Sequence, residues 1–206
     1  MPARPGHGQN WAEQYEPEDG GDPQGNDPAD QRTFERLYLH YAPRLYAYVA
    51  YRVGSAQESE DLVADIFVKA VRHIKSGSFT WQCEESFAAW LFRIAHTAVC
   101  DYFRGRRGQE DVPIADLPDL VDGDLLPEEA MLQKEQLAHM RGLIATLSPR
   151  RQEVLTLKFF GELQNKEIAQ VLGLDERTVA SHLCRGLEDL HRKYSEELSH
   201  PGESAL

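Results

Sequence analysis

The sequence predicts an all-α fold, two small helical domains joined by an acidic flexible linker, and three observations carry that prediction. Apolar residues recur at i, i+3, i+4 and i+7 through two long stretches, as one face of a helix requires. No stretch alternates apolar and polar residues with the period of two that marks a half-buried strand. Proline, glycine and serine gather between the periodic stretches, where turns belong. At 206 residues, 41% hydrophobic and 27% charged, the chain suffices for one ordinary core or two small ones.

The charge is unevenly spread. Of a formal net charge of -12, residues 1–30 hold -6 and residues 109–130 hold -8, with eight acids and no Lys or Arg. Residues 31–108 carry +3 and residues 131–206 carry -1. The two acidic segments lack apolar periodicity and read as disordered or extended chain, so the total says little about what either helical block binds. The N-terminal stretch has no apolar core like that of a signal peptide, and no run approaches the roughly 18 to 20 apolar residues that span a bilayer. A cytoplasmic protein without membrane insertion is expected. Cys83, Cys100 and Cys184 are odd in number, far apart and in no CxxC pair, which indicates neither a disulfide framework nor a zinc knuckle. His182 and Cys184 share a helix with no carboxylate in ligand spacing, and there is no phosphate loop or nucleophile motif. The expectation is a protein with no cofactor, no metal and no enzymatic activity.

The first block, residues 31–108, predicts about four helices. Phe34, Leu37, Tyr38 and Tyr41 form one stripe, and after Pro43 a second apolar stretch, RLYAYVAYRV, runs to Gly54. In SAQESEDLVADIFVKAVRHI, Leu62, Ile66 and Ala70 lie beside Val63, Phe67, Val71 and Ile74, which predicts a helix buried over a wide face, with Glu60, Asp61, Asp65, Lys69 and Arg72 outside. After KSGSFTWQCEES, the stretch FAAWLFRIAHTAVCDYFRGRR turns Phe87, Leu91, Ile94 and Ala98 inward and ends on Arg104, Arg106 and Arg107.

Two features of this block admit two readings each. Phe79 and Trp81 lie in the Gly/Ser-flanked loop, where aromatic rings near basic side chains can stack unpaired bases at about 1 to 3 kcal/mol each, or can fold back as a lid on the bundle. RGRR can contact phosphates, or it can be a solvated helix end whose cations suit the helix dipole.

The second block, residues 131–198, begins with a helix marked by Leu137, Met140, Ile144 and Leu147. At LSPRRQEV, Ser148 can cap and Pro149 suits the first turn of a new helix carrying Val154, Leu155 and Leu157. Ile168, Ala169 and Leu172 mark a short helix, Gly173 can take the left-handed turn, and Asp175 can cap a last helix bearing Val179, Leu183, Leu187 and Leu190. Small Ala169, Gly173 four residues on and Val179 six beyond have the spacing of a helix-turn-helix. Its second helix turns Glu176, Arg177, Thr178, Ala180, Ser181, His182 and Arg185 outward. Arg can bond guanine bidentately, Ser or Thr can reach bases or phosphate, and Arg150 and Arg151 are natural phosphate contacts.

Read in order, FERLYLHYAPRLYAYVAYRVG, SEDLVADIFVKAV, FAAWLFRIAHTAVCDYFRGRR and LSPRRQEVLTLKFFGELQNKEIAQVLGLDERTVASHLCRGLEDL resemble a bacterial RNA polymerase sigma factor of the sigma-70 family. The resemblance is to the small extracytoplasmic-function type, and it covers roughly residues 33 to 194. It implies a region 2 domain over 31–108, which recognises and melts the promoter -10 element, and a region 4 domain over 131–198, which reads the -35 element. The linker 109–130 and the tails 1–30 and 199–206 lie outside both. The partners implied are promoter DNA and the β′ clamp and β flap of core polymerase, with an anti-sigma factor as a common further partner.

By position, the resemblance places Asp61, Leu62, Asp65, Ile66 and Arg72 on the polymerase-docking surface. It places the 76–86 loop with Phe79 and Trp81, then Arg93, His96, Thr97, Asp101, Arg104, Arg106 and Arg107, against the -10 DNA. Arg150, Arg151, Arg177, Thr178, Ser181, His182 and Arg185 fall on the -35 side. The chain departs from the family pattern at Thr97, where Asn is common, at TVASH in place of TVKSR, and at Gln164, where a Ser-like cap is usual. The 22-residue linker could span roughly 70 Å at about 3.3 Å per residue, some two turns of duplex. Its acidity suits either a stand-in for nucleic acid in a basic channel or a solvated tether. The competing reading is a stand-alone helix-turn-helix regulator, which would have no use for DLVADIF followed by an aromatic loop and FAAWLFRIA.

Overall fold

A computed structural model of the chain describes residues 30–106 and 138–199, together with Pro28 and Gln136. The tails, the acidic linker, Arg107 and Leu137 lie outside the described residues. Among these, regular structure is helical, and no helix is long and apolar enough to cross a membrane.

Helix α1 runs Gln31–Val53, capped by Asp30, whose carboxylate accepts from the Thr33 amide at 3.1 Å, and closed by Gly54 in the left-handed conformation. Where the sequence suggested a break at Pro43, α1 passes through it, so the first block has three helices and not about four. The proline forgoes one bond, to the carbonyl of Leu39, whose side chain is 73% exposed. On either side of it, Leu37, Tyr41, Leu45 and Tyr48 are buried, and their packing outweighs one missing bond. Helix α2, Ala56–Lys75, starts at Ser55 and buries Val63, Ile66, Phe67 and Ala70. Helix α3, Glu84–Gly105, starts at Cys83, where the Ser86 hydroxyl accepts from the Cys83 amide and donates to its carbonyl.

Helix α3 is buried on two sides, which explains its run of apolar residues from Phe87 to Phe92. One side meets α1 and α2. The other meets the second block, formed by α4 (138–145), α5 (Pro149–Phe159), α6 (Asn165–Leu172) and α7 (Glu176–Ser199). Leu157, Leu163, Ile168, Val171 and Val179 join Tyr48, Phe92 and Ala95 in one continuous apolar core.

Three arginines cross between the blocks, and each ends on backbone carbonyls. Arg44 of α1 donates to Gly161 O at 2.9 Å and Glu162 O at 3.0 Å. Arg141 of α4 donates to the carbonyls of Ala50 and Tyr51 at the end of α1, and Arg93 of α3 donates to Gln170 O. Tyr51 stacks on Phe160 at 4.4 Å between ring centres. The contact is so close at Gly161 that an added Cβ would lie 2.9 Å from the Phe92 ring of α3, besides meeting the Leu157 carbonyl oxygen of its own block at 2.7 Å.

Candidate nucleic-acid interface

The turn between α6 and α7 is built as the sequence implies. Gly173 has φ 64°, and Leu174 closes the turn by donating to the Ala169 carbonyl at 2.9 Å. Asp175 caps α7 by accepting from the Thr178 amide at 2.8 Å and from its hydroxyl at 2.5 Å; these bonds hold its carboxyl below the usual range. Val179 is fully buried and Ala169 nearly so. Gln164 departs from the Ser-like cap, and here the Glu167 carboxylate accepts from the Gln164 amide. Ser148 makes no side-chain cap bond at α5; Gln152 donates instead to the carbonyls of Ala145 and Leu147, at 2.9 and 2.7 Å.

On α7, Arg177, Ser181 and Arg185 recur every four residues and are exposed, forming a stripe about 12 Å long with a cation at each end. Thr178 and His182 flank it, half-buried. Arg151 is committed elsewhere: it pairs with Asp189 and pins α5 to α7. Arg150 is exposed beside Glu153, at 3.2 Å. Gly186 lets the same two helices close, because a Cβ there would lie 3.0 Å from Leu155.

The face of α3 is partly covered by the second block. Arg93 is bonded to Gln170 O. His96 lies with Nε2 3.9 Å from a Glu153 oxygen of α5, and burial holds its pKa below the usual value. Thr97 is exposed, and Asp101 and Arg104 pair at the surface at 2.6 Å. Arg106 turns back to the first block, where it and the Tyr102 hydroxyl both donate to Glu58 of α2; these bonds hold the Glu58 carboxyl down. In the α2–α3 turn Phe79 is buried, stacked on Trp90 at 4.1 Å, so the lid reading describes its place in this structure. Trp81 is half-buried against Phe87 at 5.6 Å. On α2, Asp61, Asp65 and Arg72 are exposed, Leu62 is half-buried, and Ile66 lies fully inside the core beneath them.

Sequence reasoning found neither Arg44 nor Arg141, named Arg93 only as a -10 contact and not as a link to the second block, and did not find Glu153 as the group facing His96. Their partners are backbone carbonyls or residues dozens of positions away, which leave no local pattern.

Residues 37–109 match the family described as Sigma-70 region 2, and residues 139–190 match Sigma-70, region 4. The chain is 34% identical over 160 residues to the ECF RNA polymerase sigma factor BldN of Streptomyces coelicolor; the alignment covers 78% of this chain and 60% of that protein. It is 30% identical over 171 residues to the RNA polymerase sigma-H factor of Pseudomonas aeruginosa, covering 79% of this chain and 86% of that one. The fold is shared with the sigma factor RpoE of Bartonella quintana, solved in complex with the anti-sigma factor NepR: TM-score 0.56, 21% identity, 78% of this chain and 96% of the other. Two region matches in the order the motifs require, and relatives 34% and 30% identical that each align with more than three quarters of this chain, make the chain a member of the sigma-70 family of RNA polymerase sigma factors, in its extracytoplasmic-function branch.

Proposed function

We propose that the chain carries core RNA polymerase to selected promoters by a divided reading, with α7 on the -35 element and α3 with its preceding turn on the -10 element. As a sigma factor it is a transcription initiation factor and not an enzyme; its partners are core polymerase and promoter DNA, and it acts in the cytoplasm. The observation that carries the reading is the exposed Arg177, Ser181 and Arg185 stripe, held at a fixed angle by the Gly173 turn and the Arg151–Asp189 pin. Arg177 and Arg185 supply base or phosphate contacts, and Ser181 a shorter polar contact between them. Thr178 is held by Asp175 and His182 sits at the flank.

On the first block, Asp61, Asp65 and Arg72 form the surface that meets the polymerase clamp, with Ile66 holding it from beneath. Trp81, Thr97 and Arg104 face the -10 strand, and Arg93 and His96 join them only once the second block moves away. The blocks, 31–108 and 131–198, touch here, whereas two promoter elements two duplex turns apart lie about 70 Å from one another. Reading both therefore separates the blocks, with the segment between them as tether. The RpoE relative is bound to an anti-sigma factor, and a partner of that kind, holding the blocks together, fits this chain. A stand-alone regulator would not need the region 2 block.

The test is promoter binding with and without core polymerase. The protein alone should bind promoter DNA poorly, and the holoenzyme should bind specifically and yield defined run-off transcripts. Tight specific binding by the protein alone, unchanged by core, would overturn the reading.

A further inference from the structure

Where α3 lies against α5, three side chains from the two blocks converge. His96 and Cys100 stand one turn apart on α3, with Nε2 and Sγ 3.7 Å from one another, and the Glu153 Oε1 of α5 lies 3.9 Å from the same Nε2. All three ligand atoms fall within 4.8 Å of each other, and all three residues are half-buried. A tetrahedral zinc ion with ordinary bond lengths sets its ligands about 3.6 Å apart for N and S and about 3.4 Å for N and O. The two distances to His96 Nε2 are within about half an ångström of those values, and the Cys100–Glu153 pair, within 4.8 Å, must draw in toward about 3.6 Å as the ion enters.

The surroundings complete the donor set. The other imidazole nitrogen, Nδ1, lies 3.4 Å from the hydroxyl of Tyr48, which is fully buried. A proton on Nδ1, donated to that hydroxyl, leaves the Nε2 lone pair aimed at Cys100 and Glu153, as a second-shell partner does for a ligating histidine. Arg150 donates to the far oxygen of Glu153 at 3.2 Å, leaving Oε1 for the cluster.

We propose that His96, Cys100 and Glu153 bind a divalent transition-metal ion of the zinc kind, and that the ion staples the first helical block to the second. The imidazole, thiolate and carboxylate supply three ligands and water the fourth; the thiol proton passes to solvent as the metal enters. Thiolate and carboxylate together cancel the ion's charge, which allows it to lie near Arg150. Nothing in the sequence alone discloses this site, because two ligands lie in the first block and the third is 53 positions on in the second.

The test uses the full chain with Cys83→Ser and Cys184→Ser, leaving Cys100 as its thiol, titrated with Co2+. One equivalent should bind with a thiolate-to-cobalt charge-transfer band and the intense visible bands of a four-coordinate site, both discharged by Zn2+. Adding Cys100→Ser should abolish the charge-transfer band, and Glu153→Gln, which keeps thiol and imidazole, should weaken Co2+ binding at least about tenfold. Circular dichroism establishes that both variants fold. A parent chain without the band, or a band that survives Cys100→Ser, overturns the site. Stapling is read by amide hydrogen exchange: Zn2+ should slow exchange in both α3 and α5, and full cobalt binding with unchanged exchange overturns it. The effect on transcription rests on the promoter reading above, and Zn2+ should lower recruitment by the parent but not by its Cys100→Ser variant. A chain that failed to direct polymerase at all would defeat that reading while leaving the cobalt result standing.

Discussion

The Arg93 guanidinium of α3 donates to the backbone carbonyl of Gln170 near the end of α6, so a side chain of the first block caps a helix of the second. A hydrogen bond to a charged group contributes about 1.5 to 3 kcal/mol. Arg93→Ala is therefore expected to loosen the contact between the blocks more than either block's own fold. Hydrogen exchange should quicken at the last turn of α6 while the α5 and α1 interiors stay protected. Uniform loss of protection across both blocks would show that Arg93 holds up the whole fold.

Phe79 and Trp81 are neighbours in one turn with different expected effects. Phe79 lies buried against Trp90 and Phe87, and Phe79→Ala should cost about 3 to 5 kcal/mol of stability, read as a lower midpoint in urea. Trp81 is half-exposed, and Trp81→Ala should leave the fold largely intact while impairing strand opening more than closed-complex binding. Permanganate reactivity of the -10 thymines checks it; unchanged reactivity removes Trp81 from the melting step.

For the recognition helix, replacing both Arg177 and Ser181 by Ala should weaken initiation that depends on the -35 element, since one lost specific contact costs about 1 to 3 kcal/mol. Binding to core polymerase, measured by co-elution, should be unchanged. Equal loss of both activities would indicate misfolding.

The Glu58 carboxylate, held below its ordinary value chiefly by the Tyr102 hydroxyl and further by Arg106, ties α2 to the end of α3. A carboxyl whose folded pKa is depressed stabilises the fold above its unfolded value near 4.5, and the contribution is lost as pH falls through the folded value. Thermal stability of the parent should fall more steeply than that of Glu58→Gln as pH is lowered through 4.5 and below. Parallel curves would show that this ion pair gives no net support.

Much of this was legible in the residues themselves. Asp175, Gly173 and Ala169 announce the helix-turn-helix because each is dictated by a local requirement: a cap, a left-handed turn, a close helix crossing. The charged side of α2 likewise follows from its 3.6-residue period. Pro43 misled, because a local rule about proline is overridden by buried neighbours on both sides of it. The contact between the blocks was not legible. Arg44 and Gly161 lie 117 positions apart, and the run of apolar residues on α3 says that it is buried twice without saying against what. Arg151 illustrates the converse: an arginine at a helix start reads as a phosphate contact until Asp189 is seen to hold it.

The burial of α3 against α6 also sets a population rule for the resting molecule. When the competent arrangement is a minor member of the ensemble, apparent affinity equals intrinsic affinity scaled by its fractional occupancy. A preference of about 2.7 kcal/mol for the compact member would thus weaken binding to bare DNA about a hundredfold without altering a single contact to the bases. By the same rule, substitutions at the crossing, such as Gly161→Ala, would act on every promoter alike, whereas those on α7 would act on some promoters more than others.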